Sequence, residues 1–196
     1  MDIRPLLWKD GWPVAGDNFL EGTYMIRSER SGYALELAVD FVRMAGRMRG
    51  FGRPSGPVAP VPAQELSDVS MDWPAGNIEI RIGDYMVRPH QKWTVTPVPN
   101  VGGYPGSPYF RIAIAGTERT PAATADGEVV AVTAFTGSPE QLWGIVQLTD
   151  GTYRIMPRSM PNSSEPVALT AVGRSTPTLS RFDPRSDKAR WTFRKP

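Results

Sequence analysis

The residue types that usually carry catalysis or hold metals are sparse in this sequence. It contains one histidine, His90, and no cysteine, too few imidazole and thiolate ligands for a zinc or transition-metal site. No glycine-rich loop leads into a helical pattern that would cradle a phosphate, and no Asp-rich run has the spacing of a calcium loop. No two carboxylates stand at a spacing that marks an acid and base pair. The sequence therefore implies no metal and no cofactor. One charged run does suggest chemistry: Arg43, Arg47, Arg49 and Arg53 alternate with glycines and Phe51, with no acid as far as Pro62. Arginine interleaved with an aromatic suits phosphate or RNA contact. A solvated loop is the simpler reading, because Asp40, Glu65 and Asp68 flank the run and a net charge of only +2 leaves little long-range field.

The strongest spacing signal is structural. Gln91-Lys92-Trp93 and Gln141-Leu142-Trp143 share a Gln-x-Trp triplet, and Ala189-Arg190-Trp191 keeps its tryptophan; the tryptophans stand 50 and 48 positions apart. A second landmark precedes each: Tyr24-Met25-Ile26, Phe110-Arg111-Ile112 and Tyr153-Arg154-Ile155. A fixed period with matching ends reads as three repeats of one supersecondary unit. The distance from opening aromatic to closing tryptophan is 69 positions in the first repeat against 33 and 38 in the others, so the first carries an insertion, located at about residues 42–75.

Alternating apolar residues, as in Tyr24/Ile26, Leu35/Leu37, Ile78/Ile80/Ile82, Val130/Val132 and Tyr153/Ile155, predict half-buried strands with those side chains inward. Twenty prolines and 19 glycines in 196 residues fit short strands joined by many turns, so the fold class is all-β. No apolar run approaches the roughly 18 to 20 residues of a spanning helix, so no membrane partner is expected, and the first residues lack the basic-then-apolar order of a signal peptide.

These landmarks resemble the ricin B-lectin-type β-trefoil family, in which three four-stranded units form a six-stranded barrel and a triangular hairpin cap. The resemblance covers residues 22–196, with repeats at about 22–98, 99–148 and 149–196. It implies that Trp93, Trp143, Trp191 and Gln141 are structural core residues. Residues 1–21 carry another likeness: Ile3-Arg4-Pro5-Leu6-Leu7-Trp8 and Asp10-Gly11-Trp12-Pro13 are similar to the end of the catalytic propeller in family 43, arabinanase-like glycoside hydrolases. Together they imply the C-terminal, non-catalytic module of a secreted bacterial enzyme, working outside the cell or in the periplasm. Its partners would be an arabinan-like polysaccharide and the propeller. A module with decayed sugar sites that only packs on the propeller is the alternative.

In the ricin-type family a sugar is held by an acid that accepts hydroxyls, an aromatic ring and an amide near the triplet. That pattern implies Glu36 as the acid in the first repeat, where the third has Thr170 and the second offers Ala122, Ala123 or Thr124. Asp84, Tyr85, His90 and Gln91 complete the candidate site, with Trp73 as a substitute platform or a lid over the barrel mouth. Eight positions before each triplet, where a stacking ring is usual, stand Gly83, Thr133 and Arg181. Tyr85 and Phe135, two positions on, and Phe182, one position on and matching them if one residue is inserted, read as a repeated core position that packs rather than binds.

Overall fold

The computed structural model describes residues 4–39, 73–104, 107–174 and 176–196. The arginine run at 43–53 and the expected insertion up to residue 72 lie outside these. The chain forms β1 (Leu6–Lys9), β2 (Trp12–Ala15), β3 (Gly22–Ser28), β4 (Ala34–Leu37), β5 (Ile78–Gly83), β6 (Trp93–Pro97), β7 (Gly103–Tyr104) and β8 (Ser107–Ile114). There follow β9 (Thr120–Ala123), β10 (Val129–Val132), β11 (Trp143–Gln147), β12 (Tyr153–Pro157), β13 (Val167–Thr170), β14 (Thr178–Arg181) and β15 (Trp191–Arg194). Among the described residues the only helical pieces are two 3-10 turns, Pro89–Gln91 and Pro139–Gln141.

Six strands close a barrel. β3 pairs with β6, β6 with β8, β8 with β11, β11 with β12 and β12 with β15, and β15 returns to β3 with Trp191 opposite Ser28 and Arg194 opposite Met25. Closure leaves no free edge among these strands. The remaining long strands make three hairpins, β4/β5, β9/β10 and β13/β14. They meet over one end of the barrel: β5 pairs with β10, and the Leu179 amide donates to the Gly127 carbonyl at 2.6 Å. Gly127 is required there. Its φ is +77°, and a Cβ would stand 3.3 Å from the Leu179 carbonyl oxygen, so a side chain would meet both strain and crowding.

Alternation sends Phe110, Ile112, Ile114, Trp143, Ile145, Trp93, Val95 and Trp191 inward, all nearly inaccessible. Each indole N–H donates to a main-chain carbonyl of the cap: Trp93 to Leu35 at 2.8 Å, Trp143 to Pro121 at 3.1 Å and Trp191 to Leu169 at 2.8 Å. The barrel's other end is filled by Phe19, whose ring lies 5.4 Å from Tyr24, 5.4 Å from Phe110, 5.5 Å from Tyr153 and 4.7 Å from Phe193. The three aromatics that open the sequence landmarks thus converge on one ring.

One face assignment is corrected. Val129 and Ala131 are buried in β10, while Val130 and Val132 are half-buried. Four successive apolar residues carry no period of their own, and the register with Pro121 and Ala123 on β9 decides which pair points inward.

Replacing Trp143 by Ala removes a fully buried indole and is expected to destabilise the protein by about 3–5 kcal/mol. Trp143→Phe keeps most of the packing but strands the Pro121 carbonyl, at roughly 1–3 kcal/mol. Urea unfolding of the two variants measures both.

Candidate functional site

The β4/β5 register places Glu36 opposite Arg81 on one face of the hairpin. Arg81 Nε donates to Glu36 Oε1 at 2.7 Å, Gln91 Nε2 donates to Glu36 Oε2 at 2.6 Å, and His90 Nε2 lies 3.4 Å from Oε2. Glu36 is 7% exposed. Both oxygens of the acid are therefore bonded within the fold, and it is not a solvated strand residue. Burial would raise its carboxyl, yet the bonds from His90, Arg81 and Gln91 outweigh that and hold it below the ordinary carboxylate range. The same packing accounts for the glycine at position 83, where the family pattern has a ring: a Cβ there would stand 2.8 Å from Glu36 Oε1.

Gln91 also clamps the loop ahead of it. Its Oε1 accepts the Met86 N–H at 2.8 Å and its Nε2 donates to the Asp84 carbonyl at 2.7 Å. Gln141 repeats this, accepting the Thr136 N–H at 2.7 Å and donating to the Ala134 carbonyl at 3.2 Å. Ala189 has no amide to offer, and Arg190 holds the corresponding loop through the Pro184 carbonyl at 3.1 Å.

The clamped loop presents the exposed part of the site. Asp84 Oδ2 lies 3.0 Å from Arg174, with both side chains about two-thirds exposed at 65% and 66%, and the Arg174 guanidinium stacks 4.8 Å over the Tyr33 ring. Between Asp84 and Gln91, Val87 holds a φ of +58°, a conformation that β-branched residues rarely adopt and that signals strain. Tyr85 is half-buried, and its hydroxyl is enclosed with no hydrogen-bond partner among the described residues; burial raises its pKa. Phe135 and Phe182 are half-buried too, each beneath an arginine, Arg111 at 5.2 Å and Arg154 at 5.0 Å. At Phe135 and Phe182 the repeated position is thus a shelf beneath an arginine rather than core.

Glu36, Asp84, Tyr85, His90 and Gln91 thus belong to one neighbourhood, while Trp73 stands apart. It precedes the opposite end of β5 and packs on the core cluster, and Arg119 anchors the segment after it by donating to the Pro74 and Gly76 carbonyls. Tyr33, Arg81 and Arg174 were not among the sequence candidates. Arg81 is legible from the strand alternation that sets it opposite Glu36, whereas Arg174 arrives from 90 positions away with no local signal. Among the described residues no cluster of three or more His, Cys, Asp or Glu could hold a metal, and no helix is long and apolar enough to cross a membrane.

No model of a known protein family matches the sequence, and no curated protein matches it. Several solved structures share its fold. A mosquitocidal holotoxin matches 91% of this chain with a TM-score of 0.60 and 14% identity. The β-trefoil lectin of the Vibrio vulnificus hemolysin/cytolysin, solved with N-acetyl-D-lactosamine bound, matches 89% with a TM-score of 0.53 and 11% identity. An exo-β-1,3-galactanase from Clostridium thermocellum matches 93% with a TM-score of 0.51 and 16% identity. The chain spans 18% of the holotoxin and 32% of the galactanase but 95% of the lectin. At these identities the likeness is one of fold, and the fold is a β-trefoil.

Because the folded pKa of Glu36 lies below its unfolded value, the stabilisation it supplies is complete above the unfolded value of roughly 4.3 and is lost as pH falls through the folded one. Glu36→Gln should therefore lower stability at pH 7 by about 1–3 kcal/mol. It should also remove part of the fall in stability below about pH 4, as read by thermal melts across pH.

Proposed function

We propose that this chain is a non-catalytic carbohydrate-binding module of three trefoil units, over about residues 22–98, 99–148 and 149–196, the first widened by the insertion at about 42–75. In this reading it accompanies a family 43 glycoside hydrolase acting outside the cell on arabinan-like plant polysaccharide. The observation that carries the reading is the rim formed by Tyr33, Asp84 and Arg174: an exposed acid, an aromatic ring and a guanidinium meet on a rigid cap. Such a group suits sugar hydroxyls and ring faces, the acid accepting charge-assisted hydrogen bonds and the planar groups covering C–H surface. The Glu36, Arg81, His90 and Gln91 network lies behind the rim and fixes the loop that carries Asp84 and Tyr85. The fold shared with a sugar-bound lectin and with part of a galactanase supports the same assignment. Tethered to an enzyme, even weak binding raises the local substrate concentration.

Calorimetric titration with arabino-oligosaccharides tests this. Saturable heat is expected, weakened roughly tenfold or more by Asp84→Asn, the loss of one charge-assisted bond. No heat from a folded sample with arabino-oligosaccharides, arabinan or xylan contradicts it.

The alternative, a packing module with decayed sugar sites, is favoured by the β1/β2 hairpin. Leu6, Trp8 and Trp12 are 63%, 63% and 75% exposed on a two-stranded ribbon, and such ribbons are marginal alone. If they form the joint to a propeller, Trp8→Ala with Trp12→Ala should change the stability of this chain by less than about 0.5 kcal/mol. The same pair should lower the melting temperature of the parent enzyme by several degrees. An unchanged parent would remove this reading.

A further inference from the structure

The outer wall of the barrel holds a second cleft, remote from the rim in sequence and built on different strands. Gly144 on β11 pairs with Tyr109 on β8 and with Met156 on β12, and Val146 pairs with Arg154, so these five side-chain positions share the outward face. The segment after β12 folds back beside them. The space between has a volume of about 600 Å³, and Arg158, Ser159, Ser163 and Glu165 also border it.

Three observations say what it would take. The Arg154 guanidinium lies 5.0 Å over Phe182 and that of Arg158 lies 5.4 Å over Tyr109. Neither has a carboxylate within ion-pair distance among the described residues. Arg111, the matching residue on β8, lies over Phe135 in the same way but is neutralised by Glu118 at 2.7 Å, so the charge on the β12 side has been left open. Arg154 is held there at a cost, since burial of its guanidinium lowers its pKa. An anion in the cleft would offset that penalty.

Gly144 is the second observation. It lies within a strand and outside the glycines of positive φ, and a Cβ on it would make only ordinary contacts, 3.8 Å to the Met156 carbonyl oxygen and 3.9 Å to the Tyr109 ring. Neither strain nor crowding demands glycine. Its effect is to leave the floor of the cleft open, as where a ligand approaches a strand closely.

The third is the mixture of groups. Ser159, Ser163 and Glu165 add hydroxyls and an acid to the two cations. A simple anion would be repelled by Glu165, whereas a ligand carrying both carboxylate and hydroxyls satisfies every group. Arg154 and Arg158 sit four positions apart, roughly 13 Å along an extended strand, which asks for a ligand longer than one sugar ring. The geometry points to a binding site for carboxylate-bearing, uronate-type oligosaccharides on the β8/β11/β12 wall. It extends the carbohydrate reading to a second site and a second ligand class.

The test is titration of the whole chain with oligogalacturonate, beside an arabino-oligosaccharide, inorganic sulfate and a short oligonucleotide. Saturable oligogalacturonate binding is expected. It should weaken at least tenfold in Arg154→Gln and Arg158→Gln, and in Gly144→Leu, which fills the cleft without removing charge. Arg158 is exposed, so its variant should stay folded, and thermal melts check all three. Absence of binding, or binding that the Arg158→Gln and Arg154→Gln variants leave intact, overturns the proposal. Equal affinity for sulfate or the oligonucleotide also overturns it, since sugar recognition would then be missing. The arabino-oligosaccharide titration reads the Asp84 rim instead and should be unaffected by these substitutions, so failure there concerns the first site alone.

Discussion

Three indole N–H groups tie the barrel of this protein to its cap. Trp93, Trp143 and Trp191 each begin a barrel strand, fill its interior and donate to a carbonyl on the first strand of a cap hairpin, Leu35, Pro121 or Leu169. A hydrophobic contact alone would allow the cap to slide, but a buried donor in a dry core must find its acceptor or cost free energy. The bonds therefore set the cap hairpins against the barrel. The glutamines before Trp93 and Trp143 extend the constraint outward, holding the loops that precede them. At the opposite end Phe19 supplies a central ring for Tyr24, Phe110 and Tyr153, so both ends of the barrel are filled by convergent aromatics.

This frame determines what the candidate site can be. Glu36 occupies the position where a sugar-binding acid is expected, but one extra methylene and the missing side chain at Gly83 let its carboxylate turn inward to Arg81 and Gln91. Glu36 is therefore a supporting group. The groups proposed to recognise sugar, Asp84, Tyr33 and Arg174, stand beside the strained Val87 loop that the Gln91 clamp holds. On the flank, the arginine and aromatic pairs at Arg111/Phe135 and Arg154/Phe182 differ in one respect, the acid that accompanies the first and is missing from the second.

Much of the fold was legible in the sequence because its signals are local or periodic. The tryptophan spacing, the opening aromatics and the alternation of Ile78, Ile80 and Ile82 each report a strand whose inward face is apolar. Legibility failed where the pattern has no contrast, as in the all-apolar Val129–Val132 strand, whose face is chosen by its partner. It failed again where partners are distant in the chain. Arg174 reaches Asp84 across 90 residues, and no spacing rule anticipates that contact. Trp73 misled for a similar reason: its composition suits a platform, but Arg119 anchors the segment after it at the other end of β5. The inward turn of Glu36 was hidden because sequence position says which face a strand residue occupies, not whether its carboxylate stays there once a neighbour is glycine.

In the proposed reading carbohydrate is bound at defined places on the trefoil surface. Amide chemical-shift mapping of the labelled chain during titration with arabino-oligosaccharide would locate that binding residue by residue. Saturable shifts concentrated at Tyr33, Asp84, Tyr85 and Arg174 are expected, with the barrel strands unperturbed. An unmoved spectrum, or shifts confined to the β1/β2 hairpin, would contradict that reading.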